Sequence, residues 1–149
     1  MKNVIIILTI ILLTISGELF SQDQKEQAKT QFKPALLIID IQNAYLEMIP
    51  EKEKEIALLY INGLIELFRN HDYPIIRIYH FSEEFGPKPD TEEFEFPASV
   101  MIQSEDPKVV KTYGDGFNKT ELDEVIKENG SNTLFLCGLS AVGCVLATW

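Results

Sequence analysis

The sequence predicts an α/β fold in which helices cover both faces of a parallel sheet. Short apolar runs alternate with segments of helical periodicity, and polar residues directly follow several of the runs. The first run, Ala35-Leu-Leu-Ile-Ile39, is apolar throughout, which is typical of a strand that is buried on both faces. Strands that alternate with helices indicate parallel pairing, so we expect a three-layer α/β/α arrangement.

The predicted elements follow one another along residues 34–149. Four strands are expected, over Ala35–Ile39, Ile75–Tyr79, Val109–Thr112 and Thr133–Leu136. A long helix begins after Pro50 with acidic residues in its first turn and ends near Asn70. Its apolar residues at helical spacing are Ile56, Leu59, Tyr60, Gly63, Leu64, Leu67 and Phe68. A second helix opens at Thr120 in a capping box with Asp123, and Asn129-Gly130 terminates it.

The first residues have the layout of a secretory signal peptide, which we assign to residues 1–21. Lys2 precedes an apolar run over Val4–Ile15, and small residues around Ser21 allow processing. A polar linker then covers residues 22–33. An uncleaved membrane anchor is the alternative, because the apolar stretch nearly reaches spanning length. The break at Ser16-Gly17-Glu18 favours cleavage, which predicts an exported chain, periplasmic or secreted, without stable membrane insertion.

The acidic composition limits the classes of partner. The formal net charge is −10, and it stays −10 after loss of the signal peptide, which carries Lys2 and Glu18. Such a surface argues against nucleic acid and anionic membrane as partners. Export into an oxidising compartment leaves a Cys137–Cys144 disulfide open as an alternative to two free thiols.

Four polar residues are expected at one edge of the sheet, where α/β proteins bind ligands. They are Asp40, His80, Lys111 and Cys144. Cys144 opens a predicted helix, where unpaired N–H groups and the helix dipole favour a thiolate nucleophile. Asp40 can accept the thiol proton, while Lys111 orients Asp40 and lowers the thiol pKa through its charge. Backbone N–H groups around Ser140 and Cys144 could bind an oxyanion.

Three ordered motifs carry a resemblance to a known family. They are Leu36-Leu-Ile-Ile-Asp40-Ile-Gln-Asn-Ala-Tyr45, Val110-Lys111-Thr-Tyr113-Gly-Asp-Gly-Phe117-Asn-Lys-Thr120-Glu-Leu122, and Cys137-Gly138-Leu-Ser-Ala-Val-Gly-Cys144-Val145. In order and spacing they resemble the isochorismatase-like cysteine hydrolases, from about Pro34 to Trp149. The resemblance implies a Rossmann-like sheet and an Asp40-Lys111-Cys144 triad. It also implies a cis Leu139–Ser140 peptide, with the Ser140 and Cys144 amides forming the oxyanion hole.

Departures from the family pattern qualify this interpretation. Members of the nicotinamidase branch have further histidines that bind a metal, whereas only His80 follows the second strand here. We therefore predict neither a metal nor a cofactor and interpret His80 as a strand-end residue. Family domains continue beyond the position of Trp149, so the resemblance implies a fold that is incomplete after the nucleophile helix. For the intact parent it implies a homo-oligomer.

The predicted function is hydrolysis of a non-peptide C–N bond in a small amide or carbamoyl compound. Cys144 would form a thioester, Asp40 would act as base, and Lys111 would be the electrostatic partner. An isochorismatase-type reaction on a vinyl ether is an alternative, although that chemistry can proceed without a thiol. A catalytically inactive fragment, or an interaction module that uses the acidic loop at Glu92-Glu-Phe-Glu-Phe96, is the alternative outside enzymes.

Overall fold

A computed structural model describes residues 31–149 of the chain. The description below concerns the compact unit Lys33–Trp149. The predicted signal peptide and residues 22–30 of the predicted linker lie outside the described residues. Among the helices that are described, none is long and apolar enough to cross a membrane.

The described unit is built on a four-stranded sheet in which every pair of neighbouring strands is parallel. The strands are β1 (Pro34–Ile39), β2 (Ile75–His80), β3 (Lys108–Lys111) and β4 (Thr133–Gly138). Their order across the sheet is β3-β2-β1-β4, so the first strand is central. The predicted α/β class is confirmed, and each strand boundary lies within two residues of its predicted position.

Helices follow three of the four strands, β1, β3 and β4. They are α1 (Asn43–Leu46), α2 (Glu51–Arg69), α3 (Leu122–Glu128) and α4 (Leu146–Thr148), and a π-helical turn over Ala141–Val145 precedes α4. The predicted capping box was wrong, because the N-cap residue of α3 is Glu121, whose side chain makes no capping bond. The Thr120 hydroxyl instead donates to the Gly116 carbonyl and accepts a bond from the Leu122 amide, so the helix starts later.

The central strand separates two apolar layers. Every residue of β1 is buried, and successive side chains point to opposite faces of the sheet. Leu36 and Ile38 belong to the layer that contains α2, whereas Leu37 packs in the layer that contains α3. The continuous apolar run is therefore explained by two helical layers, as expected for a parallel sheet.

The buried face of α2 differs from the predicted stripe. Ile61, Ile65 and Phe68 face the sheet, whereas Leu59 and Tyr60 are each 70% exposed. Both sets of residues have helical spacing, so periodicity alone cannot say which one meets the sheet. Within the described unit the predicted stripe is mostly exposed, and only Phe68 among its members is fully buried.

Gly138 brings the end of β4 against the end of β1. Its φ is +138°, and a Cβ atom at this position would lie 2.0 Å from the carbonyl oxygen of Ile39. The next residue, Leu139, donates its amide to the same carbonyl at 2.9 Å. Only glycine permits this close approach, which starts the turn that leads to Cys144.

Replacing Gly138 tests this constraint. We expect Gly138→Ala to lower the free energy of unfolding by about 3 kcal/mol or more, because the new methyl group meets backbone rather than a movable side chain. Gly63→Ala is the matched control: it lies on the exposed side of α2 with no atom within 4 Å of the added Cβ. It should raise the free energy of unfolding by about 0.5 to 1 kcal/mol. Urea denaturation measures both changes, and equal effects of the two substitutions would contradict the proposed constraint.

Candidate active site

The carboxyl ends of the strands bring the predicted catalytic residues together around one cavity. Asp40 follows β1, Lys111 ends β3, and Cys144 lies in the π-helical turn after β4. The cavity has a volume of about 360 Å³, and its wall comprises Asp40, Tyr45, Met48, Ile49, His80, Phe85, Leu139, Ser140 and Cys144. Lys111 is fully buried beside this wall and contacts Asp40 directly.

A buried ion pair anchors the cavity. Lys111 Nζ donates to Asp40 Oδ2 at 2.8 Å, with side chains that are 0% and 5% exposed. Lys111 Nζ also donates to the Tyr113 carbonyl at 3.2 Å and lies 3.3 Å from His80 Nδ1. Because a buried charge is costly without partners, these contacts fix the ammonium in one position. Asp40 is held in turn, at a backbone φ of +55°.

The Asp40 carboxylate lies close to the Cys144 thiol, and both line the cavity. Among residues 31–149, Asp40 Oδ1 has no hydrogen-bond partner of regular geometry, although it is buried. Burial raises the pKa of Cys144 above its ordinary value, and a hydrogen bond to Asp40 and the negative charge of Asp40 raise it further. The positive charge of Lys111 lowers the pKa but does not outweigh these effects. The expected contribution of Lys111 is therefore present, but the predicted lowering of the thiol pKa was wrong. The resting nucleophile is a protonated thiol beside a carboxylate.

The turn that carries Cys144 also differs from the predicted helix. Cys144 lies within a π-helical turn interrupted at Gly143, whose φ and ψ are −113° and −112°, and not at the start of a regular α-helix. Thr148, which is buried, donates its hydroxyl to the Cys144 carbonyl at 2.7 Å. The same hydroxyl accepts the Gly116 amide at 2.9 Å. This pair of bonds ties the nucleophile's turn to the segment that follows Lys111.

The residues before Cys144 have the geometry that the family resemblance implied. The Leu139–Ser140 peptide bond is cis. The Ser140 carbonyl accepts the amides of Gly143 and Val145 at 2.9 and 3.3 Å, which closes a tight turn. Ser140 and Cys144 therefore share one wall of the cavity, where the proposed oxyanion would form.

Cys137 has no part in this cavity. Both cysteines are free thiols, so the alternative of a Cys137–Cys144 disulfide was wrong. The Cys137 thiol points into the core toward the Leu37 carbonyl, with Sγ 3.7 Å from the oxygen. Burial raises its pKa to about 12, which leaves Cys144 as the reactive thiol of the pair.

His80 contributes more than the predicted strand-end role. It lines the cavity and touches Lys111, and its pKa is lowered by burial and then by the Lys111 charge, so that it is neutral at pH 7. Gln42 holds the backbone of His80 on both sides, accepting its amide at 2.7 Å and donating to its carbonyl at 3.1 Å. The position of His80 at the carboxyl end of a strand was the signal for this role.

Tyr45 was also absent from the predicted site. It lies on α1, five positions after Asp40, and its ring is 6.3 Å from that of His80 between centroids. The aromatic residues of the acidic loop behave differently: Phe94 and Phe96 stack on the buried ring of Tyr79. Phe94 and Phe96 are core residues and are not available to bind a partner. This weakens the alternative in which the acidic loop is an interaction surface.

Other parts of the described chain offer no comparable chemistry. A larger cleft of about 750 Å³ lies between α2 and the segment around Pro97, but its wall contains carboxylates and no cysteine. Across residues 31–149, no group of three or more histidine, cysteine or acidic side chains is placed to hold a metal ion. The smaller cavity beside Cys144 is therefore the candidate active site.

The geometry predicts how Asp40 controls the thiol. In a Cys137→Ala background, Asp40→Asn should shift the pH profile of Cys144 alkylation by iodoacetamide to lower pH. The substitution removes the carboxylate that favours the protonated thiol, while the Lys111 charge, which favours the thiolate, remains. Alkylation rates followed by intact mass across neutral to alkaline pH measure the shift.

Asp106→Asn is the matched control for this experiment. Asp106 is also a buried carboxylate in an ion pair, with Arg69 at 2.7 Å, but it is not among the groups that shift the Cys144 pKa. It should lower stability without moving the alkylation profile. A profile that stays in place or moves to higher pH in Asp40→Asn would contradict the assigned role of the carboxylate.

Comparisons with known proteins match the same part of the chain. The family model described as the isochorismatase domain matches residues 34–149. An uncharacterized isochorismatase family protein of Bacillus subtilis is 32% identical over 123 residues, which cover 76% of this chain and 66% of that relative. A second such protein of the same species is covered to 64%, so the chain spans just under two thirds of the length of these relatives.

A more distant relative and a solved structure extend the comparison. A protein of Arabidopsis thaliana named as a probable inactive nicotinamidase is 27% identical over 143 residues, covering 76% of this chain and 69% of that protein. The structure of N-carbamoylsarcosine amidase from Thermoplasma acidophilum is 24% identical, with a TM-score of 0.70, and the match covers 78% of this chain and 73% of that one. The chain belongs to the isochorismatase family of hydrolases.

Proposed function

We propose that this chain carries the catalytic residues of an exported cysteine hydrolase. The reaction is cleavage of a non-peptide C–N bond in a small amide or carbamoyl compound, through a thioester on Cys144. The observation that carries the proposal is the position of Asp40. One of its oxygens is bound to Lys111 at 2.8 Å, and the other is buried with no hydrogen-bond partner among the described residues. This division lets one carboxylate be both fixed in place and available as a base.

The first half of the reaction uses the thiol and Asp40. Cys144 Sγ attacks the carbonyl carbon of the substrate as its proton passes to Asp40 Oδ1. The amides of Ser140 and Cys144 stabilise the negative charge on the carbonyl oxygen. Asp40 then returns the proton to the leaving nitrogen, the C–N bond breaks, and an amine or ammonia departs. A thioester remains on Cys144.

The second half regenerates the thiol. Asp40 takes a proton from a water molecule that attacks the thioester carbon. The C–S bond then breaks, the proton moves to the sulfur, and a carboxylic or carbamic acid leaves. Lys111 stays cationic throughout, and its bond to Asp40 Oδ2 keeps Oδ1 directed toward the reacting groups. The raised pKa of Cys144 suits this scheme, because Asp40 activates the thiol during attack rather than beforehand.

Two further observations favour amide chemistry over reaction with a dicarboxylate vinyl ether such as isochorismate. Cys144 is placed beside a base, an arrangement that a reaction without a nucleophile does not need. The described part of the cavity wall also contains no lysine or arginine, and the nearby Lys111 is already paired with Asp40. A doubly negative substrate would therefore lack a countercharge. The amidase name of one structural neighbour agrees with this choice.

Export and assembly are also part of the proposal. Export is supported by the charged, apolar and small-residue order of residues 1–21. In a host with a secretory pathway, the mass of the mature chain should show that it begins at Gln22. The substrate is a small molecule, nucleic acid is not a partner, and the protein forms a homo-oligomer.

The proposal predicts a specific pattern of activity among variants. A panel of small neutral amides and N-carbamoyl amines is assayed for release of ammonia or amine by the full chain. Cys144→Ala should abolish turnover, and Asp40→Asn should lower kcat by about 10²- to 10⁴-fold, as expected for loss of a general base. Added hydroxylamine should divert part of the product to a hydroxamate, which reports the thioester.

Cys137→Ala is the matched control, because it removes a thiol that lies in the core and not in the cavity. It should retain turnover apart from any loss of stability. Full activity of Cys144→Ala would instead indicate a thiol-independent reaction of the vinyl-ether type. Absence of turnover across the panel would favour the alternative that the chain is catalytically inactive. One relative is named as a probable inactive enzyme.

A further inference from the structure

The hydroxyl of Tyr45 is a polar group in the cavity that the reaction above does not use. Tyr45 lines the cavity, and its Oη atom is buried with no hydrogen-bond partner among the residues that the structure describes. Its pKa is raised by burial and then by the charges of Asp40 and Cys144, so the hydroxyl keeps its proton. The group can therefore donate a hydrogen bond to a ligand.

The described residues around Tyr45 supply no acceptor for this donor. A Cβ atom on Gly86 would lie 3.1 Å from Tyr45 Oη, so the backbone passes close to the hydroxyl there. Gly86 has a φ of +143°, and its carbon offers no acceptor. Burying a hydroxyl without a partner is unfavourable, and a ligand acceptor would remove that penalty.

The rest of the cavity wall is apolar on the side of Tyr45. Met48, Ile49, Phe85 and Leu139 supply it. Phe85 and Met48 are 80% and 74% exposed, which is unusual for large apolar side chains beside a catalytic thiol. A ligand that enters past them would bury apolar surface of its own against theirs. The Tyr45 hydroxyl would then select the position of one acceptor within an apolar group.

We propose that Tyr45 is a specificity-determining residue that donates its hydroxyl proton to an acceptor on the substrate. The substrate class is a small uncharged amide whose apolar substituent carries one acceptor, such as an ether oxygen, a ketone or a ring nitrogen. This inference rests on the proposed function, since the amide carbon must reach Cys144. It adds to that function a preference for a hydrogen-bond acceptor in the substituent on the reacting carbon or nitrogen.

Matched alkylating probes test this preference without requiring turnover. The first probe is N-cyclohexyl-2-chloroacetamide, and the others are its tetrahydropyranyl analogues, in which one ring CH₂ is replaced by oxygen at each position in turn. The rate of Cys144 alkylation is measured by intact mass in a Cys137→Ala background. We expect one ether isomer to react faster than the cyclohexyl probe. In Tyr45→Phe, the ratio of these two rates should fall by about 3- to 10-fold, as for loss of one neutral hydrogen bond.

Two controls separate this effect from a general disturbance. The cyclohexyl rate in Tyr45→Phe is the baseline by which the ether rate is divided, so any general change in Cys144 reactivity cancels; the thermal midpoint should be equal or higher, because an unpaired hydroxyl is removed. Tyr60→Phe removes a hydroxyl from an exposed tyrosine on α2 and should leave the ratio of rates unchanged. An unchanged ratio in Tyr45→Phe would overturn the inference. So would failure of every probe to label Cys144 while iodoacetamide labels it.

The outcomes also separate this inference from the proposed function. Ether selectivity that depends on Tyr45, in a chain that hydrolyses no amide, would support the specificity role and contradict the hydrolase. Hydrolysis that requires Cys144, with probe rates that ignore Tyr45, would support the hydrolase and overturn the specificity role.

Discussion

The buried ion pair between Lys111 and Asp40 is the interaction on which the candidate site depends. It joins the end of β3 to the end of β1, across β2, which lies between them in the sheet. The pair is fully enclosed, so removing either partner would strand a charge in the interior, at a typical cost of about 3 to 5 kcal/mol. The same bond holds the Asp40 carboxylate beside Cys144 and leaves its other oxygen without a partner among the described residues. The same ion pair therefore stabilises the sheet edge and orients the base.

This arrangement gives the thiol a particular resting state. Many reactive cysteines are kept as thiolates by nearby cations or helix termini. Here the Lys111 ammonium is already paired with Asp40. Burial and then the Asp40 carboxylate raise the pKa of Cys144. The chemistry that fits is proton transfer during attack. The apolar side chains of the cavity wall and the Tyr45 hydroxyl then determine which substrates are held close enough to react.

Much of the fold and the positions of the catalytic residues could be predicted from the sequence. Continuous apolar runs marked the strands, and residues that end parallel strands must meet at one edge, which located Asp40, Lys111 and Cys144. The exposed side of α2 could not be predicted, because two apolar stripes share the same spacing. The raised thiol pKa depends on burial and on the closeness of Asp40 to the sulfur, and the spacing of residues along the chain shows neither. Tyr45 was missed because an aromatic residue after a strand is ordinarily part of the core.

The most direct test of this account is the infrared S–H stretch of Cys144 at neutral pH, recorded on the Cys137→Ala chain so that one thiol contributes. The account predicts a clear S–H band, shifted to lower frequency by hydrogen bonding to Asp40. In Asp40→Asn the band should move to the higher frequency of a weakly bonded thiol, or lose intensity as thiolate forms. Absence of the band in the chain that retains Asp40 would show a resting thiolate. That result would contradict the assignment of Asp40 as the base that activates Cys144.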